Sequence, residues 1–377
     1  MYAVGSFTTV MRYDTRYTRN HVFSFAATAP FKVTSWDPAV NGIVNSIAFN
    51  GSDCSDAYIG GAFTSVGRTA AHDIAEISTS TGAVVTRFAR DANGQVETLL
   101  GVRGRILAGG DYTSINGSDA DPYMTGLNPA TGRDDGFLRL HVFGHYQYPN
   151  ASGNPTRVYN QQLSHSGTLD LVEGDFTSVG GHARQQVFML HLGTVLATVT
   201  GWDPTILTDH CVGGHPFYAK AAAWSPSDTS VYVATTGYHL SGWKGSFPLT
   251  GPCDAALAFP ATTTQVSPEW INYTGCYSLF SIAADASTVY VAGHEKYADN
   301  PDGCKGAGKG AVSAPGLGGL SPATGALTFN PTRSRGYGAD DMLLTGAGLW
   351  IASDNDDGSQ MCGRQDGHAG ICFLPYR

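Results

Sequence analysis

An all-β fold made of small repeated sheets is what this 377-residue sequence predicts, and three observations predict it. Its 48 glycines supply the turns that a chain of many short strands needs. Helical periodicity is nearly absent, whereas short apolar runs bounded by Gly, Asn, Asp and Pro are frequent. Above all, one motif recurs at a nearly constant interval. It is clearest in Tyr2-AVGSFTTV, Tyr58-IGGAFTSVG, Leu107-AGGDYTSING and Leu171-VEGDFTSVGG, and weaker in Tyr232-VATTGYH, Tyr290-VAGHEKY and Trp350-IASDND. Its starts at 2, 58, 107, 171, 232, 290 and 350 lie about 58 residues apart on average.

Each repeat reads as four strands. The first is an apolar run ahead of the motif: Val44-NSIAF, Val96-ETLLGV, Ala221-AAW, Leu279-FSIAAD and Met342-LLT. The motif itself is the second. The third leads into a turn, as in Ile74-AEISTSTG, Met124-TGLNPATG and Leu317-GGLSPATG. There Thr81-Gly82, Thr131-Gly132 and Thr324-Gly325 suit a tight hairpin, because Gly tolerates positive φ. The fourth ends in Trp36-Asp37-Pro38, Trp202-Asp203-Pro204 or Phe329-Asn330-Pro331. Proline lacks the ladder N–H, so it stops an outer-edge strand.

A unit of this size cannot bury both faces of its sheet alone, so the units must pack into a ring. That is a single β-propeller domain spanning residues 1–377. The repeat length gives about 6.5 units, which predicts seven blades, with six as the alternative count. The chain starts at a second-strand motif and reaches Gly370-ICFLPY near a third strand. The last blade is therefore expected to be closed by N- and C-terminal strands, or completed by residues upstream.

Composition narrows the function classes. An apolar content of 42% with 11% aromatic residues builds a core and excludes wholesale disorder. No run reaches the length of a membrane-spanning helix, so no membrane insertion is expected. A net charge of −9 disfavours nucleic acid and anionic membrane surfaces as partners. Seven cysteines stand at 54, 211, 253, 276, 304, 362 and 372, and none forms a CxxC pair, so disulfides fit better than zinc. Chain order suggests Cys211–Cys253, Cys276–Cys304 and Cys362–Cys372, although six cysteines allow several connectivities, and Cys54 is left over. Disulfides place the protein outside the cell or on its surface. Met1-Tyr2-Ala3-Val4-Gly5 is not a signal peptide, so an export signal is expected to be missing from this chain.

The Y-x-G-G-x-F-T-x-V copies and the W-D-P strand ends resemble the delta-60 repeat β-propellers of secreted actinobacterial proteins. Gly214-HPFYAK, Asn272-YTGC, Asn330-PTRSRGYGADD and Gly370-ICFLPY extend the resemblance through the C-terminal half. It covers nearly the whole chain and implies the fold, but it implies no single activity. The copies at 232, 290 and 350 depart from the G-G-x-F-T consensus.

That departure points to a site. In a propeller, the entry to each inner strand and the connection after the second strand open on one face, around a central basin. In the last three repeats the aromatic-Thr step gives way to His239, to His294 and Glu295, and to Asp354 and Asn355. Entries to neighbouring strands add His215, Tyr218, Lys220, Tyr273, Arg333, Arg335, Asp340 and Asp341. The function expected is a secreted recognition module for a glycan, a cell-wall polymer or a secreted or cell-surface protein, acting alone or as a subunit of an extracellular assembly. Tyr146, Tyr148, Tyr238, Trp243 and Tyr337 are candidate stacking or anchoring residues.

The alternative is a carbohydrate-active enzyme, a glycoside hydrolase or polysaccharide lyase, using Glu295, Asp340 and Asp341 as its carboxylates. No complete catalytic signature supports it: there is no G-x-S-x-G, and Gly293-His294-Glu295-Lys296 lacks the second histidine of a zinc protease. Gly303-CKGA-Gly308-Lys309 reads as a disulfide-tethered loop rather than a phosphate loop. No cofactor is expected, with Asp354, Asp356 and Asp357 as a weak calcium candidate.

Overall fold

The computed structural model describes residues 1–51, 54–145, 155–208, 211, 218–237, 251–262, 266–331, 339–353 and 370–376, and the backbone alone of 361–362 and 366–367. Among the described residues there is no α-helix, only one 3-10 turn at Thr205–Thr208. The strands among the described residues form seven principal sheets and five small two-stranded hairpins. The first sheet pairs Tyr2–Val4 with Val22–Ser24. The second joins Ile43–Ala48, Asp56–Ala62 and Ile74–Ser78, and the third Val96–Val102, Arg105–Gly110 and Met124–Leu127.

Three sheets have four strands each. The fourth sheet holds Arg157–Leu163, Leu169–Asp175, Val187–Leu192 and Ala197–Val199; the fifth, Tyr218–Trp224, Ser230–Thr236, Ala255–Pro260 and Trp270–Tyr273. The sixth holds Leu279–Ala284, Val289–Gly293, Gly318–Leu320 and Leu327–Phe329. The seventh sheet has three strands, Ala339–Thr345, Gly348–Ser353 and Ile371–Pro375. Strands pair antiparallel in chain order, and the first strands of the second to seventh sheets pack side by side as an inner row. This is the architecture of a β-propeller, as the repeats predict.

The second strands explain why the sheets stack. Asp56–Ala62 and Ser230–Thr236 are buried along all but their end residues, so both faces need cover. Cover comes from apolar clusters, each drawn from two successive sheets. One joins Tyr58 and Ile74 to Leu99 and Ile106, the next Leu107 and Met124 to Val172 and Phe188, and a third Leu171 and Met189 to Val231 and Leu257. The first sheet belongs to two of them: Val22 packs with Ile59 of the second sheet, and Phe25 lies 5.3 Å from Trp350 of the seventh.

Two details depart from the four-strand expectation. In the second and third sheets the fourth strand shrinks to a single bridge, Ile77 with Val84 and Leu127 with Asp134. There the chain leaves the edge early and turns Phe88 and Phe137 into the cores between sheets. The tryptophans near the outer edges also do more than end strands. Trp36, Trp202 and Trp270 donate their indole N–H to Ser78, Pro260 and Pro322 carbonyls at 3.0, 3.1 and 2.9 Å. Each acceptor belongs to the next sheet's third strand or the turn after it, so each indole clamps two sheets together.

The Thr-Gly turns complete the clamp. Gly82, Gly132 and Gly325 have φ of 74°, 70° and 72°, the left-handed region expected of them. A Cβ on Gly325 would stand 2.5 Å from the Trp270 ring. The bridges Cys211–Cys253 and Cys276–Cys304 form as chain order suggests, with Cα separations of 5.8 and 4.6 Å. Cys372 is also disulfide-bonded, whereas the side chain of Cys362 lies outside the described residues. Cys54 is exposed and belongs to neither of the two described bridges.

Gly325→Ala should therefore lower stability by roughly 2 kcal/mol or more, through left-handed strain and overpacking against the indole. Denaturant melts of the variant beside Gly346→Ala, where an added Cβ meets open space, would measure it.

Candidate functional site

The inner row carries one repeated irregularity. In all six inner strands the register slips by one residue after the first or second pair, leaving Asn45, Glu97, Tyr159, Lys220, Phe280 and Asp340 as the extra residues. A bulge of this kind bends its strand and re-aims a side chain. All six bulges lie where the inner strands begin and the second strands end, so they share one rim of the channel.

The side chains of the third to fifth sheets interlock there. Arg157 Nη1 lies 3.4 Å from Glu97 Oε1, and the Arg157 guanidinium stands 5.5 Å from the Tyr159 ring centroid. Lys220 Nζ lies 5.6 Å from the same ring, while the Tyr159 hydroxyl donates to the Ala219 carbonyl. Burial, with the Glu173 charge adding to it, holds the Tyr159 hydroxyl well above its ordinary pKa. Burial also raises the Glu97 carboxyl, against the pull of Arg157.

Behind this group sits Glu173, fully buried in the second strand of the fourth sheet. Its Oε2 accepts a hydrogen bond from Asn160 Nδ2 at 2.6 Å. Burial pushes its carboxyl up to about 8, with the Asn160 bond and the Lys220 charge opposing. It is thus a neutral acid at neutral pH. The same register in other sheets holds Gly60, Gly109, Ala234, Ala292 and Ala352. A Cβ on Gly60 would meet Val96 at 2.5 Å, and one on Gly109 would meet Val158 at 2.6 Å. At the register of those valines the fifth sheet carries Ala219, a smaller side chain on the sheet that follows Glu173.

Most of the described residues expected at the site stand on this rim. Tyr218 opens the inner strand of the fifth sheet and Lys220 is its exposed bulge residue. His294 and Glu295 follow the second strand of the sixth sheet. His294 packs edge-on against Phe280 at 4.7 Å, and Glu295 is buried. Asp340 and Asp341 lie exposed in the inner strand of the seventh. Desolvation by the surrounding protein raises the Asp341 carboxyl to about 6, with the Met342 N–H opposing and the Asp340 charge adding. Tyr273 stands elsewhere: it ends the outermost strand of the fifth sheet, half-buried against the core between the fourth and fifth.

His215, His239, Arg333, Arg335, Asp354, Asn355, Asp356 and Asp357 lie outside the described residues, as do Tyr146, Tyr148, Tyr238, Trp243 and Tyr337. Among the described residues no group of three His, Cys, Asp or Glu side chains is placed to hold a metal ion. Residue-level reading missed Asn45, Glu97, Arg157, Tyr159, Glu173 and Phe280. Only Glu173 left a trace in the sequence, as the acid that interrupts small residues in Leu171-VEGD.

No protein-family model matches this chain, and no curated protein does. Among solved structures it is similar to the WD40 β-propeller domain of Doa1, with TM-score 0.45 and 10% identity over 93% of this chain and 84% of that one. It is also similar to BamB from Moraxella catarrhalis, with TM-score 0.42 and 11% identity over 93% of this chain and 88% of that one.

Two outcomes test the Glu173 environment. Above the ordinary value of 4.5 the unfolded chain loses a proton that the folded chain keeps until about 8, so Glu173 makes stability fall as pH rises through that window. Glu173→Gln should remove this slope, at most roughly 1.4 kcal/mol per pH unit, and raise Tm at pH 8 more than at pH 5. Ala219→Val should cost roughly 1–3 kcal/mol by overpacking, and Glu173→Gly should rescue it in the double variant. Thermal melts of the four-member cycle read this directly.

Proposed function

We propose that residues 1–377 form one seven-bladed β-propeller of the delta-60-like repeat type, its first blade seated between the second and the last. It acts as an extracellular recognition module whose channel rim binds a protein partner. The observation that carries this reading is the repeated bulge, which uses one backbone device to present an amide, two acids, a phenol, an ammonium and a phenyl group around one opening. Varied side chains on a rigid frame suit recognition of a surface. The two disulfides support an oxidising compartment.

A protein partner fits better than a glycan. Sugar faces need free aromatic platforms, whereas Tyr159 is held by Ala219, Arg157 and Lys220, and Phe280 by His294.

The test immobilises the pure protein and exposes it to the proteins secreted with it. Lys220→Glu and Asp340→Arg should each weaken capture of the partner at least about tenfold without lowering Tm, since both side chains are exposed. Capture indifferent to both variants would overturn the rim as the binding face. Release of reducing ends from a polysaccharide panel, abolished by Glu295→Gln, would instead favour the carbohydrate-active enzyme.

A further inference from the structure

The second sheet buries an acid where its counterparts carry no charge. Glu76 pairs with Tyr58, and the same register holds Ser24, Gly126, Met189, Ala258, Gly319 and Phe373 in the other sheets. Only 1% of Glu76 is exposed. The Tyr58 hydroxyl has one proton for two acceptors, Glu76 Oε1 at 3.2 Å and the Pro129 carbonyl at 3.0 Å. Arg87 Nη2 stands 3.6 Å from Oε1 and 4.0 Å from Asp56 Oδ2. Oε2 is buried with no hydrogen-bond partner. Burial raises the Glu76 carboxyl against the pull of Tyr58 and Arg87, so these partners do not compensate its charge. Folding alone gives no reason for so costly a group.

Glu76 borders a cavity of about 170 Å³, between the second sheet and the Pro129-Ala130 turn of the third. The third sheet shows how such a space is closed. There the Asp135 N–H bonds the Gly126 carbonyl as the Val85 N–H bonds that of Glu76, at 3.0 and 2.8 Å. Two residues further on stand Phe137 and Arg87. Phe137 is buried, and a Cβ added to Gly126 would meet its Cβ at 3.3 Å. Arg87 instead has a side chain 64% exposed, and the matching space beside Glu76 stays open. At the register of Asp56 the third sheet carries Arg105, paired with Asp135 at 2.8 Å. The second sheet thus has an acid in place of a cation, and an exposed arm in place of an apolar plug.

The lining selects the ligand. Tyr58, Pro129 and Ala130 give apolar walls, while Glu76 and Asp56 place carboxylates within reach of one cationic nitrogen, as Arg87 shows. With both acids ionised, one negative charge exceeds the single guanidinium. Ser52 and Asp53, which lie outside the described residues, bring no cation. One carboxylate oxygen without a partner suits the point charge of an ammonium, whereas a guanidinium fork needs two oxygens side by side. About 150 Å³ accommodates a benzene-sized molecule, so this cavity holds an ammonium with about four or five carbons.

We propose that the cavity binds a primary ammonium group on a slender aliphatic chain, its nitrogen on Glu76 Oε2 and Asp56, its carbons against Tyr58, Pro129 and Ala130. A free alkylamine and a lysine side chain supply the same chemistry. Asp56 opens the second strand, at the end opposite the bulged rim, so this site and the rim reading fail separately.

Calorimetric titration of the pure protein with n-butylammonium, and with acetyl-Gly-Lys-Gly-amide, is the test. Saturable binding of at least one is expected; the amine alone would assign the site to free amines, and the peptide alone to a lysine side chain. Glu76→Gln should weaken binding about tenfold or more. Ala130→Phe should do the same by filling the cavity, with Tm nearly unchanged because Ala130 is exposed. Arg87→Ala should tighten binding severalfold by removing a like charge. n-Butylguanidinium should bind at least about tenfold more weakly than n-butylammonium. Lys220→Glu should change nothing. No saturable binding of either probe, or binding indifferent to both Glu76→Gln and Ala130→Phe, would overturn the proposal. So would weaker binding in Arg87→Ala, which would make that guanidinium part of an anion site.

Discussion

Sheets of three or four short strands have two apolar faces and no means of covering either, and that shortage organises this molecule. Asp56–Ala62 is buried on both faces only because one neighbour brings Val22 and another brings Leu99 and Ile106 against its sheet. Fully burying a side chain such as Ile59 is worth roughly 1.5–3 kcal/mol, which no sheet collects without both neighbours. The fit is made residue against residue. Gly60 admits Val96 and Gly109 admits Val158, so size at one register is answered by size on the next sheet. Hydrogen bonds then fix the spacing at the outer edge, where Trp36, Trp202 and Trp270 hold the next sheet's carbonyls.

How much of this was legible depends on whether a feature is local. The Thr-Gly turns are written in adjacent residues and the first two cysteine pairs in chain order, and both stand in the structure as read. The tryptophan clamp was half legible: Trp-Asp-Pro marks the edge, but the acceptor lies 42 to 58 residues away on another sheet for Trp36 and Trp202. The bulges were not legible, because a one-residue slip leaves no compositional mark, and Asn45, Glu97, Tyr159, Lys220, Phe280 and Asp340 share no chemistry. Tyr273 shows the converse error. Its neighbours in sequence suggested a strand entry, yet the chain had one more outer strand to complete there.

Polar groups at this rim are tolerated by different means. Glu97 keeps an ionic partner in Arg157 at the edge of water, where such a pair costs little. Glu173 lies deeper, and an unpaired buried charge would be far costlier, so its carboxyl is held neutral and takes the Asn160 hydrogen bond. Tyr159 bridges the two depths, with its hydroxyl on the Ala219 carbonyl and its ring beside two cations.

Repetition of the bulge separates the side chains of the rim from those that hold the fold in most of the sheets. The extra residue stands outside the inward-outward alternation of its strand, so changing Asn45, Lys220 or Asp340 disturbs little packing. Changing Gly60 or Gly109 at the next register forces a neighbouring valine to move. The fourth sheet is where the two demands meet. There the bulge residue Tyr159 reaches the backbone of the fifth sheet, and the glycine register holds an acid whose pKa burial raises and a lysine of that same sheet pulls down. A substitution at Lys220 therefore changes both the charge of this arc of the rim and the proton held at Glu173.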